Sequence, residues 1–154
     1  MTFQRNERGP VCRQAGQATV EMLLVVLILT LVSLGAFEIA RGYAIKQAMD
    51  VGVAKAVRGL SIDSSQWAWA DSTIHNEVGG NVLGGGYGAS LSLEIHDRWG
   101  NAITPAQLND PATMPYGSVF WIRATVPFLA HAPFLNLTTR QIEIWHSGVI
   151  QRWP

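Results

Sequence analysis

The chain's 154 residues leave room for one small folded head and an anchor, not for two independently cored domains. Charged residues make up 14% with zero formal net charge, against about 25% in ordinary soluble proteins, which argues against nucleic acid as a partner. The one cysteine, Cys12, rules out an internal disulfide. A lipoprotein leader is also excluded, because Arg5, Asn6, Glu7 and Arg8 stand where its apolar region would have to lie.

Residues 1–16 read as a short basic leader, with Arg5, Arg8 and Arg13 ahead of Gly16. Met22 to Phe37 then runs sixteen residues without a charge, and Ala18 to Ala40 makes a workable span for a bilayer that asks for about 17–25 apolar residues. Glu21 and Glu38 bracket the run, about 25 Å apart along a helix rising 1.5 Å per residue, so each reaches toward an opposite headgroup layer. The basic residues before the run hold the N-terminus in the cytoplasm and send the rest across, which places the head outside the cytoplasm of a single-pass inner-membrane protein. A cleaved secretory signal is the competing reading, with Ser33, Gly35 and Ala36 as the cut site. Against it, the apolar run exceeds the usual 7–15 residues, and helical spacing continues through the supposed cut from Ala40 to Val57. The expected division is leader 1–16, transmembrane helix 17–41, helix extension 42–60 and head 61–154.

A carboxylate at the edge of hydrocarbon is costly and such residues are usually functional, so Gly16, Glu21 and the greasy helix form one signal. A basic leader ending in Gly, with Glu as the fifth residue after it and an apolar helix beginning at once, resembles type IV prepilins and pseudopilins. More closely, Gln14-Ala15-Gly16-Gln17-Ala18-Thr19-Val20-Glu21, then Gly35-Ala36-Phe37-Glu38-Ile39-Ala40-Arg41 and an Ala-rich helix ending Ala56-Val57-Arg58, is similar to the TadE-like minor pilins of tight-adherence (Tad) pili. The resemblance covers about the first sixty residues. It implies a structural, non-enzymatic subunit that a prepilin peptidase cuts after Gly16, with Gln17 as the new N-terminus. Its implied partners are that peptidase, other pilin or pseudopilin subunits with their assembly machinery, and membrane lipid. Gln17 departs from the Phe often found at this place in the wider pilin family. Glu21 lies a turn from the new amine, of pKa about 7.7–8.0, whose pairing with it would offset burial. Glu38 and Arg41, three apart on one helix face, read either as an interfacial charge pair capping the span or as an intersubunit contact. The rival reading of the whole chain is a single-pass anchored binding or sensor protein.

Beyond Gly59, Ser61 to Ser65 offers N-cap residues for a second helix reaching about Val78, and Gly79 to Gly88 reads as a loop. That loop lacks the Lys-Ser/Thr and the spacing of a phosphate-binding motif. Ser90 to His96 alternates as a half-buried strand, with Asp97 to Asn101 as the turn after it. Val119 to Val126 makes a second strand, stopped by Pro127. Thr139 to Trp145 makes a third, with Gly148 to Trp153 continuing it past a bulge. Three or four antiparallel strands against the outer half of the long helix give an α+β, type IV pilin-like head.

Sharper chemistry finds little support in the sequence. His75, His96, His131 and His146 lack ligand spacing for a metal, no nucleophile elbow supports a triad of Asp97, His96 and a serine, and no cofactor is expected. Asn136-Leu137-Thr138 is read as loop rather than a used sequon. All six tryptophans fall in the head, and Trp121 and Trp145 lie on the faces opposite the aliphatic rows, so they mark a candidate aromatic interface. Burial of both under a covering helix is the alternative.

Overall fold

A computed structural model describes residues 11–81, 83, 86–129 and 139–151, with the side chains of 11–15 outside the description. The expectations for residues 1–10, Gly84, Gly85, His131, Asn136 and Trp153 therefore lie outside the described residues. The first element is one long helix, α1 (Val11–Ile62), and the chain forms two units, Met1–Phe37 and Glu38–Pro154.

In the first unit, every described side chain from Gly16 to Phe37 is exposed. The segment keeps its backbone hydrogen bonds to itself and presents Leu, Val and Ile all round, which is the pattern a lipid-facing or subunit-facing helix needs. Among the described residues it is the one helix long and apolar enough to cross a membrane. The helix also reaches back beyond Gly16 to Val11, earlier than the start expected after Gly16. Residues 13–15, Arg-Gln-Ala, are good helix formers, and no breaker separates them from the apolar run.

In the second unit, the C-terminal part of α1 buries Ile45, Met49, Val53, Ala56, Val57 and Leu60, the three-and-four spacing of a one-sided stripe. Helix α2 (Trp67–Gly79) lays Ala70, Ile74 and Val78 against the same core. Gly52 permits that approach, since a Cβ there would meet the Ile74 Cα and Glu77 Cβ at 3.2 Å. The expected Ser and Asp cap does not close α2: Gln66 holds the cap position without a side-chain bond. Asp63 instead organises the turn, accepting from the Ser65 amide and hydroxyl and from the Gln66 side chain.

The sheet is antiparallel in the order β2-β1-β3-β4, with β1 (Ser92–Asp97), β2 (Ala102–Ile103), β3 (Val119–Phe128) and β4 (Arg140–Val149). Its inner face contributes Ile95, Phe120, Ile122, Ala124, Val126 and Ile144 to the core, giving the α+β, pilin-like layout. Strand β3 continues through Pro127 to Phe128 rather than stopping before it. Ile150 donates to the Ser118 carbonyl, so even-numbered residues of β3 face β4 and odd ones face β1. Strand β1 ends opposite Thr125, so the N–H that Pro127 lacks falls where no strand waits. Strand β4 likewise runs unbroken through Gly148, paired with Phe120. The irregularity comes one step later, where Gly117 rather than Ser118 donates to Ile150. Helix α3 (Pro105–Asn109) was not anticipated, although Thr104-Pro105-Ala106-Gln107 is a full capping box with Pro at its start.

Candidate functional site

Three sets of residues carry the functional signal, and each follows from its element. On the N-terminal part of α1, Gly16, Gln17 and Glu21 lie in one exposed helical stretch. Nothing lies within 4 Å of a Cβ built on Gly16. Among the described residues Glu21 has no hydrogen bond or ion pair, so its carboxylate is left on an apolar surface without compensation. Thr30, further along, returns its hydroxyl proton to the Val26 carbonyl at 2.8 Å and so hides its polarity.

Glu38 and Arg41 form the second set, and both side chains are only 15% exposed. Arg41 Nη1 donates to Glu38 Oε1 at 3.1 Å, while its Nη2 donates to the Tyr87 hydroxyl at 2.7 Å and the Leu129 carbonyl at 3.1 Å. The guanidinium also lies 5.7 Å from the Tyr87 ring centroid and 5.2 Å from that of Phe128, within cation–π reach. Gly42 leaves room for the Phe128 ring, which a Cβ there would meet at 3.4 Å. The pair thus closes within its own chain and ties the start of the head's helix to the end of β3. The other carboxylate oxygen of Glu38 is buried without a hydrogen-bond partner among the described residues. Tyr87 and Leu129, 46 and 88 residues from Arg41, carried no local sequence signal for this role.

The third set is the outer face of the sheet. Trp121 and Trp145 project there, opposite the buried aliphatic rows and, among the described residues, with no element over them; Trp145 is 44% exposed. An ionic ladder underlies them: Arg123 Nε donates to Glu143 at 2.9 Å and Nη1 to Glu94 at 3.2 Å. The Trp145 indole N–H donates to Glu143, its ring lies 5.3 Å from the Arg123 guanidinium, and it packs on His96 with centroids 5.1 Å apart. Hydrogen bonds from His96 and Arg123 hold the Glu94 carboxyl below its ordinary range, and those from Arg123 and Trp145 do the same for Glu143. With its N–H engaged, Trp145 presents only its ring. The sequence identified these two tryptophans but not the charges that seat one of them.

Among the described residues no three His, Cys, Asp or Glu side chains gather as a metal site would require. His96 and Asp97 instead serve a turn: His96 Nδ1 bonds the Gly100 carbonyl at 3.1 Å, and Asp97 accepts from the Trp99 and Asn101 amides at 2.8 Å.

Residues 16–58 match the model of the TadE-like protein family. The match begins at Gly16 and ends within the head's helix, so the similarity to that family covers this part of the chain. No curated protein and no solved structure matches the chain.

Proposed function

We propose that this chain, TadE-like over residues 16–58, is a minor pilin or pseudopilin: a membrane-anchored structural subunit of a Tad-type pilus, cut after Gly16 by a prepilin peptidase. The observation that carries the reading is Glu21, a carboxylate five residues after Gly16 that has no ion pair among the described residues and is the one charge in the exposed helical stretch 16–37. A permanent lipid anchor gains nothing from it, since a charge in hydrocarbon costs about 2.5–3.5 kcal/mol at the bilayer centre and less near its edge. A subunit that exchanges lipid for neighbouring helices gains a specific contact, because cleavage creates an amine at Gln17, four residues away on the same helix face.

Gly16 fits the cut for a backbone reason. Glycine is the poorest helix former after proline, so the helix around it opens most readily to the extended form a protease needs, and no side chain obstructs entry. Glu38 and Arg41 serve assembly by fixing the start of the head's helix to the end of β3, and Trp121 and Trp145 supply a face for neighbouring subunits. Inner-membrane location with the head outside follows from the charge bias of the leader.

The test is Glu21→Gln. Membrane insertion is expected to be unchanged, while recovery of the protein in sheared surface filaments falls at least tenfold. Normal incorporation of this variant would remove the role assigned to the carboxylate.

A further inference from the structure

Beside the turn that joins β1 to β2, the head has a cavity of about 440 Å³ walled by Arg98, Tyr116, Ser118, Val119 and Trp121. A second cavity of about 120 Å³ shares Arg98, Ser118 and Val119 with it and adds Trp99. Trp99 and Tyr116 are 73% and 74% exposed, so both rings are open to a ligand. The Arg98 guanidinium lies 4.0 Å above the Trp99 ring and, among the described residues, makes no ion pair.

The walls are pinned. Asp97 takes the amides of Trp99 and Asn101 and the Asn101 side-chain N–H, so its oxygens serve the turn rather than Arg98. Gly100 and Gly117, at φ 85° and 83°, hold backbone angles that favour glycine. Gly117 donates to the Ile150 carbonyl, and Ser118 donates to Pro115 and accepts from Ile150. Aromatic faces, hydroxyls and a cation that has no ion pair among the described residues, on a rigid frame, have the composition and size of a small-ligand site.

We propose that this cavity binds a saccharide bearing a carboxylate, its ring against the aromatic walls and its acid on Arg98. The backbone bonds decide against an extended peptide, because the N–H groups of Gly117 and Ser118 and the Ser118 carbonyl are already used by the fold. The charges decide against a nucleic acid strand, since Arg98 is, among the described residues, the one cation lining the cavity and a strand carries a phosphate on every nucleotide. Arg98 favours a sugar that carries an acid, since a carboxylate accepts from a guanidinium more strongly than a hydroxyl does. The site lies wholly in the head and stands or falls independently of leader cleavage.

Full-length protein in a zwitterionic detergent without sugar headgroups would be titrated with trigalacturonate, maltotriose and triglutamate, following tryptophan fluorescence. The expected result is saturable, salt-sensitive binding of trigalacturonate, at least tenfold weaker for maltotriose and triglutamate. Arg98→Gln and Tyr116→Ala each lower it at least tenfold at an unchanged melting temperature. Should one variant melt early, Trp99→Ala replaces it, its side chain being largely in solvent. No saturable binding, equal affinity for either comparator, or undiminished affinity in the variants overturns the proposal.

Discussion

A Cβ on Gly148 would lie 2.6 Å from the Phe120 ring and 2.7 Å from the Ser61 hydroxyl, and Phe120 is fully buried. Overpacking of this kind costs about 1–3 kcal/mol, so Gly148→Ala is expected to lower the melting temperature of the detergent-solubilised protein by several degrees; an unchanged value would show that Phe120 yields. The glycine was visible in the sequence, but its reason was not, because the crowding atoms come from β3 and the end of α1. Arg123, Glu94 and Glu143 give a pH dependence whose sign follows from their lowered carboxyl pKa values. Between the folded values and the ordinary value of 4.5, the unfolded chain binds more protons, so stability rises with pH through that interval. The contribution is fully present above the ordinary value and is lost as pH falls through the folded ones. Thermal melts are therefore expected to hold level from pH 7 to about 5 and to decline below 4.5, and Arg123→Gln is expected to flatten that decline. A decline of the same depth in the variant would assign it to other carboxylates. Both groups are exposed, so the amplitude is small.

Strand β4 shows how an element reads differently on its two sides. Even-numbered residues bond to β3, while the amides of Gln141, Glu143, Trp145, Ser147 and Val149 point to the edge on which, among the described residues, no further strand pairs. Gln151, the next of that parity, donates outward to the Ser61 carbonyl. Ser147→Pro is expected to cost under about 1 kcal/mol, since proline is tolerated where an edge N–H faces solvent. His146→Pro removes a ladder bond and the 2.8 Å contact from His146 to Asp50, and is expected to cost about 3 kcal/mol or more. Equal melting temperatures would contradict the register. The elements with strong local periodicity, α1, α2, β1, β3 and β4, were legible to within a few residues. Pro127 misled because whether proline breaks a strand depends on which neighbour its nitrogen faces, and that neighbour lies in a different part of the chain. Strand β2 is two residues long and exists only through pairing with Ile95 and His96, so no run of residues announces it. Helix α3 did announce itself, through Thr104 and Gln107.

At the scale of the whole molecule, two solvents divide the chain. Residues 16–37 expose apolar side chains in every direction, whereas the head turns its aliphatic rows inward and leaves charged and aromatic groups outside. Burying that exposed stretch, at about 25 cal/mol per Å², is the driving force for any state it occupies, and lipid and neighbouring helices both supply it. Glu21 distinguishes them, because only a protein environment offers it a counter-charge at fixed distance. The likeness to TadE-like proteins over residues 16–58 was legible because glycine, carboxylate and apolar run are adjacent in sequence. The Arg41 clasp and the cavity beside Arg98 were not, because their parts meet only in the folded head. The most direct test is the N-terminal sequence and intact mass of the protein taken from membranes and from sheared filaments of cells that contain the peptidase. A mature chain beginning at Gln17 in both fractions is the predicted result; molecules that all retain Met1 to Gly16 and are missing from the filaments would contradict the account.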